Sequence, residues 1–536
     1  MGSVATASKR KGLKRGPIRD NLEAFGVAIL AAVLLKWFCI EAYQIPTSSM
    51  QPTLMGSSEA SVYDRILVDK IRYEITEPQR WDVAVFRYPL QKNQNYVKRI
   101  AGMPGDRLHI AGGNLHLVTE KEGRREYTTL RKPARIQKGL WKEVYPARKE
   151  MRDDPVTLGA AVNASPVRAW EDKGNVLVGT LEQGRTSRLT FQDDADGGMV
   201  DRVWDGYPKE VGRAIRDANI GMARRSEIVP DVKFETSLQP EGTLEELAFE
   251  IEVVRPGKER ITYALEVAGG QAQLVVRQGG GRSVLAQGDK VACELASGAS
   301  TGLAFWRLDD ELVAERNGVE IARLDVMAHA TRDGCELPGP GATAEQRVNA
   351  QVVFKGRGKV AVQDLRISRD QHWVRSSLDP GHVVEVPAGH YWMLGDNTLQ
   401  SVDARDWTAL VVGVTDDGTM VPADTSGARK VRGNKRPVPP ARAPDRDETP
   451  IVFPDEKVVV MIDDVGEYVR MKSGISPAYD SDNVLFERLD STGADGDWRP
   501  VEERVPFVPR EDIIGRGLLV FWPVWPLGVH RLGFVK

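Results

Sequence analysis

The first strongly apolar stretch of the chain runs from position 22 to position 43. Its only charged residues are Glu23, Lys36 and Glu41, and roughly 20 mainly apolar residues are enough for a helix to cross a bilayer core. Six basic residues precede the stretch, and no further basic residue follows it until Arg65. Since positive charge stays on the cytoplasmic side, the pattern predicts a single-pass helix over 22–43 with a cytoplasmic N-terminus.

A cleavable signal peptide is the alternative interpretation of this stretch. It would require small residues one and three positions before the cut. Ala42, with Ile40 two positions before it, fits that requirement poorly. An uncleaved signal-anchor is therefore favoured.

Short alternating or β-branched segments, interrupted by proline and glycine, follow between 62 and 119 and predict strands. Their sequences are RILVDKIRYEI, DVAVFRYPL, YVKRIAG and DRLHIAGGNLHLV. Residues 120–155 are highly charged and are expected to be partly helical. The same strand-like texture returns over 381–412, whereas 413–450 is polar and rich in proline and arginine, which is typical of a surface loop or linker. The apolar C-terminal tail predicts a strand followed by an interfacial segment.

Between about 160 and 370 the strands become longer and evenly spaced, with Gly, Asn and Asp at the turns. This spacing predicts a β-sandwich of jelly-roll type, and the region resembles concanavalin-like or laminin-G-like domains. Such domains often bind glycans, but a fold does not specify a function; a structural cap over the cleft is favoured over a ligand-binding module. The acidic turn 193–198 lacks the spacing of an EF-hand loop, so we interpret it as a solvated turn.

The composition excludes several function classes. The chain is 41% hydrophobic and 28% charged with a net charge of −3, and it lacks the basic stripe of a nucleic-acid binder. Its cysteines and histidines show no metal-ligand spacing, so no cofactor and no metal are expected. Cys39 lies in the apolar run, while Cys293 and Cys335 could form a disulfide in an oxidising compartment, a question that two cysteines alone leave open.

Two segments carry candidate chemistry. In QIPTSSMQPTL, three hydroxyl residues lie just beyond the predicted helix without a nearby histidine or a GxSxG elbow. A buried lysine could replace histidine as the base, because burial favours the neutral amine. Lys98 lies in an apolar strand, NYVKRIAGMPGD, and strand alternation places Lys98 and Arg99 on opposite faces.

A third segment, GHYWMLGDNTLQSVDARDW, combines a tight turn at 395–397 with three polar residues at alternate positions. In an extended segment Ser401, Asp403 and Arg405 share a face. They could support a neighbouring site through hydrogen bonds and an ion pair, or they could form only a polar loop with a surface salt bridge of little energetic value.

With these segments in this order behind a membrane anchor, the chain resembles the type I signal peptidases, which are membrane-bound serine proteases with a Ser–Lys dyad. The first family motif reads Ser/Thr-x-Ser-Met-x-Pro-Thr-Leu, and here it is TSSMQPTL, 47–54. Further family motifs are matched by six segments, RILVDK, RWDVAVF, YVKRIAGMPGD, GDN, SVDAR and VPREDIIGRG. Trp81 stands where the family usually has glycine, and Ala404 stands where serine is common.

The resemblance implies a role for each matching residue. Ser49 would be the nucleophile, Lys98 the general base, and Thr47 a donor to the oxyanion beside the Ser49 amide. Ser401 would hydrogen-bond the lysine and orient it, while Asp403 and Arg405 would form a supporting salt bridge. The walls of shallow apolar subsites for small substrate residues are expected from Met50, Val83, Val85 and Phe86.

The resemblance also implies a fold and a location. We expect a mainly β protein with an antiparallel catalytic core, one N-terminal transmembrane helix and a large inserted β-sandwich. Its substrates would be secreted preproteins, cleaved on the outer side of the bacterial cytoplasmic membrane. The predicted division is a basic tail (1–21), the helix (22–43), core segments (44–120, 379–410 and 501–536) and insertions (121–378 and 411–500). The lipid bilayer is an expected partner, nucleic acid is not, and a glycan or protein ligand of the sandwich stays open.

Two rival functions use the same features. A self-cleaving repressor shares the Ser–Lys core but needs a soluble DNA-binding domain in place of the anchor. A noncatalytic, membrane-tethered carbohydrate-binding protein would keep the sandwich and lack the protease activity.

Overall fold

The computed structural model describes residues 17–34, 39–57, 61–145, 161–174, 176–192, 198–202, 205–207, 227–255, 259–279, 283–326, 347–374, 383–434, 451–453, 458–473, 477–479, 485–487, 500–522 and 532–535. Cys335, most of the acidic turn 193–198, the first 16 residues and 523–531 of the tail, on which sequence predictions were made, lie outside these residues. Strands dominate the described part of the chain, which confirms the mainly β prediction.

The first part of the chain contains most of one sheet and the start of the insertion. Its elements are α1 (Pro17–Leu34), β1 (Ile40–Gln44), β2 (Gly56–Ser57), β3 (Val62–Tyr63), β4 (Arg65–Asp69), α2 (Ile71–Ile75), β5 (Val83–Tyr88), β6 (Gln91–Gly102), β7 (Arg107–Ala111), β8 (Asn114–Lys121), β9 (Arg124–Thr129), α3 (Ala134–Leu140) and β10 (Lys142–Tyr145).

The middle of the chain forms a 14-stranded sheet together with β10. Its strands are β11 (Ala161–Ser165), β12 (Trp170–Asp172), β13 (Val176–Leu181), β14 (Thr186–Gln192), β15 (Val232–Val254), β16 (Arg260–Ala268), β17 (Gln271–Gln278), β18 (Ser283–Gln287), β19 (Val291–Ala292), β20 (Thr301–Leu308), β21 (Glu311–Arg316), β22 (Val319–Asp325) and β23 (Arg347–Arg369).

The last part of the chain returns to the first sheet and adds small ones. Its strands are β24 (Val384–Glu385), β25 (His390–Leu394), β26 (Thr408–Val414), β27 (Met420–Val421), β28 (Arg429–Asn434), β29 (Ile451–Phe453), β30 (Val458–Ile462), β31 (Tyr468–Lys472), β32 (Pro477–Tyr479), β33 (Leu485–Glu487), β34 (Val501–Arg504), β35 (Phe507–Pro509), β36 (Ile513–Trp522) and β37 (Gly533–Phe534).

The catalytic core predicted from sequence is an antiparallel sheet in the order β1-β4-β36-β5-β6-β25-β35, with β37 paired to β36. Strand β36, from the predicted closing segment, lies between β4 and β5 although more than 400 residues separate it from them along the chain. Strand β5 is buried on both faces. One face packs with Met50 and the other with Trp407, so the sheet contributes to two hydrophobic cores.

The N-terminal segment differs from the predicted helix over 22–43. Helix α1 covers 17–34, and residues 40–44 form β1, which pairs antiparallel with β4. Ala42 and Tyr43 therefore belong to the sheet, because their backbone groups hydrogen-bond to a strand rather than within a helix. None of the helices in the described ranges has both the length and the hydropathy required to cross a membrane.

The segment 65–75, predicted as one strand, is divided. The strand ends at Asp69, and a short helix, α2, follows it. The Asp69 carboxylate accepts a hydrogen bond from the backbone N–H of Arg72 at 3.1 Å. That bond satisfies a donor at the start of the helix, which offers the backbone an alternative to extending the strand.

The inserted sheet folds back on itself. The rings of Phe234 and Phe249, both in β15, have centroids 5.6 Å apart, although a straight strand would separate them by about 50 Å. The bend lies at the paired glycines Gly242 and Gly358, which have φ of +136° and +113°. A Cβ on either would approach a backbone oxygen of the opposite strand to 2.4 Å or less, so only glycine fits there. The two layers enclose a single hydrophobic core, in keeping with the predicted sandwich.

Two of the predicted domain boundaries fall within strands. The boundary at 120/121 falls within β8, which forms a four-stranded sheet with β24, β7 and β9. Ile136 and Leu140 of α3 also pack in the core around Trp407. The first strand paired with the inserted sheet is β10, where Lys142 lies opposite Arg369. Likewise β26 crosses the predicted boundary at 410/411 and pairs with β28 and β34.

Candidate active site

Ser49 lies in a short 3₁₀ turn, Ser48–Met50, that follows β1. The Lys98 ammonium in β6 donates a hydrogen bond to Ser49 Oγ. Both side chains are buried, with 9% of Ser49 and 3% of Lys98 exposed. The structure thus brings together the predicted nucleophile and base, which are 49 positions apart in the sequence.

Thr47 lies at the entrance to the same turn. Its Oγ1 is 3.5 Å from Ser49 Oγ, so the two hydroxyls are neighbours. Gly56 packs against the Thr47 backbone, and a Cβ at position 56 would lie 2.7 Å from the Thr47 carbonyl oxygen. This close approach restricts the position of the Thr47 backbone.

The tight turn at 395–397 holds the backbone of the nucleophile. The Asn397 backbone N–H donates to the Ser49 carbonyl at 3.1 Å, and Asn397 Nδ2 donates to the Ser48 carbonyl at 3.0 Å. A Cβ on Gly395 would lie 2.6 Å from the Ser49 carbonyl oxygen and 2.0 Å from Ser401 Oγ. The two catalytic segments therefore meet through the backbone, at a distance that requires glycine.

Arg99 faces away from Lys98, as strand alternation predicts, and forms a buried ion pair that the sequence did not identify. Its Nε and Nη2 donate to the two carboxylate oxygens of Asp396 at 2.8 and 2.6 Å. Thr53 donates to the same carboxylate at 2.5 Å, and Arg99 Nη1 donates to the Trp81 carbonyl at 2.7 Å. The pair joins β6, the turn at 395–397 and the segment after Ser49. The sequence placed Arg99 on the strand face opposite Lys98 and Asp396 in a turn, and it did not pair them.

Asp403 and Arg405 form the salt bridge expected from the resemblance. Arg405 Nε and Nη2 each donate to the Asp403 carboxylate at 2.8 Å, and the Gly395 backbone N–H donates to it at 2.9 Å. Burial alone would raise the pKa of Asp403, but the charge and hydrogen bonds of Arg405, with the Gly395 N–H, hold that pKa below its usual value. The carboxylate is therefore ionised and fixes the turn that contacts Ser49.

Ser401 differs from its expected role. Its Oγ is buried and makes no hydrogen bond within the described part of the chain, so the expected hydrogen bond to Lys98 is not formed here. Ser401 instead packs against Gly395. The hydroxyl is close to the turn that holds Ser49, and Lys98 donates a hydrogen bond to Ser49 Oγ.

The predicted subsite walls divide between two cores. Met50, Val83 and Val85 pack in one cluster beside the nucleophile. Phe86 lies on the other face of β5, where its ring is 6.0 Å from that of Trp407. Alternation along the strand explains the difference, and it places Phe86 on the face of β5 opposite to Met50, Val83 and Val85.

One acidic cluster invites comparison with a metal site. Carboxylate oxygens of Asp231, Asp309 and Asp370 lie within 4.8 Å of one another. The Lys132 ammonium, however, lies 2.7 Å from Asp309 and 2.9 Å from Asp370, and Arg307 pairs with Asp231. The cluster therefore contains its own cations and joins the insertion to the segment before α3.

Sequence reasoning also missed contacts from the insertion to the catalytic turns. Lys142 contacts the turn at 395–397 and Tyr207 contacts the segment after Ser49. Both are embedded in segments without a recognisable motif. Only the three-dimensional structure shows that these residues reach the site.

Comparison with known proteins shows which family this chain resembles. The family model for signal peptidase, peptidase S26, matches residues 18–162. Signal peptidase I of Pseudomonas aeruginosa is 31% identical over 220 residues, which cover 37% of this chain and 68% of that protein. Signal peptidase I of Pseudomonas fluorescens is 32% identical with the same coverage.

Among solved structures, the carbohydrate-binding module CBM66 of Bacillus subtilis aligns with 37% of this chain and 90% of its own, at 8% identity. The TM-score is 0.21, which supports no conclusion about the insertion. The sequence relatives are more informative, because the match extends over more than two thirds of their length. This chain belongs to the signal peptidase family, peptidase S26, and is a serine peptidase of the signal peptidase I type.

Proposed function

We propose that this peptidase removes signal peptides with Ser49 as its nucleophile and Lys98 as its general base, on the outer side of the bacterial cytoplasmic membrane. The observation that carries the proposal is the hydrogen bond between Lys98 Nζ and Ser49 Oγ in a buried setting. A general base must lie within hydrogen-bond reach of the proton that it removes. Lys98 is only 3% exposed, so the proton that it takes from Ser49 would be exchanged in a site largely closed to water.

In the reacting form, neutral Lys98 accepts the proton of Ser49 Oγ while that oxygen attacks the carbonyl carbon of the residue before the cut. The resulting Lys98 ammonium then gives the proton to the leaving amine, the C–N bond breaks, and an ester with Ser49 remains. Water gives a proton to Lys98 as it attacks the ester, and collapse of the second intermediate returns a proton to Ser49.

The oxyanion would be stabilised by the Ser49 backbone N–H and the Thr47 hydroxyl. The 3.5 Å separation between Thr47 Oγ1 and Ser49 Oγ supports this role, because the oxyanion forms on the same carbon that Ser49 Oγ attacks and so lies close to Oγ. Removing one such donor typically lowers kcat by about 10²–10³-fold. Asp403, Arg405 and Ser401 would act indirectly, by fixing the turn that binds the Ser49 backbone.

The substrates are proposed to be secreted preproteins with small residues near the cut. Met50, Val83 and Val85 form a compact apolar cluster next to Ser49, which suits shallow subsites. Phe86 has no part in these subsites, because it faces the opposite core.

A membrane anchor at the N-terminus is part of the proposal. Leu22, Phe25 and Leu30 of α1 each expose at least 60% of their surface, and such apolar exposure to water is unfavourable by about 25 cal/mol per Å². Lipid around α1 would remove that cost, and the basic residues before it predict a cytoplasmic N-terminus. Membrane fractionation with external protease tests the topology; recovery of the intact chain in the soluble fraction would contradict it.

Cleavage of a preprotein by the purified full chain tests the chemistry. Ser49→Ala and Lys98→Met should each lower kcat by about 10³-fold or more. Ser48→Ala is the matched control, since the Ser48 carbonyl, and not its side chain, binds Asn397. Full activity in Ser49→Ala or Lys98→Met would refute the proposed dyad.

A further inference from the structure

We propose that the inserted sandwich is a positioning element of the active site, in which Lys142 and Tyr207 hold the two segments that carry and support Ser49. This inference rests on the proposed Ser49–Lys98 chemistry. It gives the insertion a role in catalysis itself, beyond that of a cap or a separate binding module.

The insertion enters and leaves the catalytic core at one place. Strand β10, at its start, pairs with the end of β23, with Lys142 opposite Arg369 and Glu143 opposite Ser368. The chain therefore passes the active-site turns twice, on two hydrogen-bonded strands. A paired entry and exit provides a more rigid support than two separate linkers.

Tyr207 contacts the segment that follows the nucleophile. Its hydroxyl donates to Gln51 Oε1, and Gln51 Nε2 donates to the Gly56 carbonyl at 2.8 Å. Both Tyr207 and Gln51 are 1% exposed. The preceding residue, Gly206, has φ of +72°, and a Cβ there would lie 3.3 Å from the Pro52 ring. The insertion thus forms a hydrogen bond to the residue two positions after Ser49 and lies beside Pro52, three positions after Ser49.

Lys142 contacts the other catalytic segment. It is almost fully buried, and its ammonium donates to the Asp396 carbonyl at 3.2 Å. Asp396 is the partner of Arg99, and Asn397, the next residue, binds the backbone of Ser49. Burial, together with the nearby Arg369 charge, lowers the pKa of Lys142 to about 8, so this position disfavours the charged form of the side chain.

The segment that follows β23 contacts the same turn. Gln371 Nε2 donates to the Thr398 hydroxyl at 3.1 Å, and that hydroxyl donates to the His372 carbonyl at 2.7 Å. Trp373 Nε1 donates to the Gly395 carbonyl at 3.3 Å. The Trp373 ring also stacks on Trp81 with centroids 5.5 Å apart. Both ends of the turn at 395–398 are therefore held by residues of the insertion.

Buried ion pairs make the Tyr207 segment part of this support. Arg369 Nε donates to Asp205 at 2.5 Å, its Nη2 donates to the Arg202 carbonyl at 3.1 Å, and it pairs with Asp201. Arg369 is fully buried. Because Arg369 lies opposite Lys142 in the strand pair, the contacts to Gln51 and to Asp396 originate from one connected network.

The contacts act on the geometry of the nucleophile and not on the substrate. Displacement of a reacting group by about 1 Å can lower the rate by about 10²-fold. The Tyr207→Phe variant removes one hydroxyl and keeps the ring, so we expect kcat to fall by about tenfold while KM stays unchanged. The matched control is Tyr263→Phe, in the core of the insertion and away from the catalytic turns.

The experiment measures kcat, KM and the burst of acyl-enzyme in the full chain for the parent, Tyr207→Phe, Gln51→Leu and the double variant. If Tyr207 acts through Gln51, the double variant is no slower than the slower single variant. Lys142→Met should lower kcat through the second contact, again without a change in KM. A merely structural role would lower the melting temperature or the burst amplitude and leave kcat per active site unchanged.

The measurements distinguish failure of the positioning role from failure of the proposed Ser49–Lys98 dyad. Unchanged kcat per active site in both Tyr207→Phe and Lys142→Met, with Ser49→Ala inactive, would overturn the positioning role and leave the dyad intact. Full activity in Ser49→Ala would instead refute the proposed function. An equal fall in kcat for Tyr207→Phe and Tyr263→Phe would also overturn the inference, because the effect would not depend on contact with the catalytic segments.

Discussion

Arg99 and Asp396 lie 297 positions apart and form a fully buried, two-point ion pair with N–O distances of 2.8 and 2.6 Å. Arg99 follows the proposed base directly, and Asp396 precedes the residue that binds the Ser49 backbone. The pair therefore links the strand of the base to the turn that supports the nucleophile.

Breaking this pair on one side should destabilise the protein. Asp396→Leu or Arg99→Met leaves an uncompensated buried charge, which typically costs about 3–5 kcal/mol. The double variant removes both charges and should be less destabilised than the sum of the two. Urea unfolding of all four proteins measures the coupling, and additive effects would show that the two charges do not depend on one another.

Gly395→Ala should lower the activity of the enzyme more than it lowers its stability. The new methyl would lie 2.6 Å from the Ser49 carbonyl and 2.0 Å from Ser401 Oγ, so the nucleophile or the turn must move. We expect kcat to fall by about 10²-fold. Gly288→Ala is the control, because its Cβ meets only ordinary contacts at 3.8 Å or more; equal activities of the two variants would contradict the expected displacement.

Thr47→Val tests the oxyanion donor. The substitution keeps the branched shape and removes the hydroxyl, so kcat should fall by about 10²-fold or more, with little change in KM. Thr47→Ser keeps the donor and should retain most of the activity. Comparable losses in the two variants would indicate that packing of the Thr47 methyl, and not hydrogen bonding, is what matters.

The stability of the protein should decrease between pH 6.5 and 4. Burial, opposed by Asp201 and reinforced by Arg369, lowers the pKa of His372 to about 4. The pKa of this histidine in the unfolded state is about 6.5. When the pH is lowered below that value, the unfolded state binds a proton that the folded state does not. The free energy of unfolding therefore decreases by up to about 3 kcal/mol as the pH is lowered to 4. Below pH 4 both states are protonated and the contribution stops changing.

Unfolding measured at pH 7 and 4.5 for the parent and His372→Gln isolates this group from the titrating carboxylates. The parent should lose more stability than the variant between these two values. The same loss in both proteins would exclude His372 as its source.

Several features of the fold and the site followed from sequence alone. Alternation along β6 predicted that Lys98 and Arg99 face opposite sides, and the structure places Ser49 against one and Asp396 against the other. The motif also identified Asp403 and Arg405 as an ion pair. These predictions succeed because strand periodicity and short spacing are local properties.

Other features depended on contacts between distant segments. Phe86 differs from Val83 and Val85 only in the face of β5 that it occupies, and the subsite assignment ignored that alternation. Ala42 and Tyr43 continue an apolar run, yet they form a strand because β4 provides hydrogen-bond partners. The hydrogen bond expected for Ser401 is likewise absent among the described residues, since Gly395 packs between its hydroxyl and the Ser49 backbone.

The sequence by itself determined the mainly β character, the family and the candidates for the reactive side chains, because local patterns and short motifs carry that information. Only the tertiary structure decided that Lys142 and Tyr207 reach the catalytic segments. Lys142 lies where β10 pairs with the end of β23, and the two contacts join residues that are 254 and 156 positions apart in the sequence. No local pattern encodes such contacts, since each depends on the simultaneous packing of several strands.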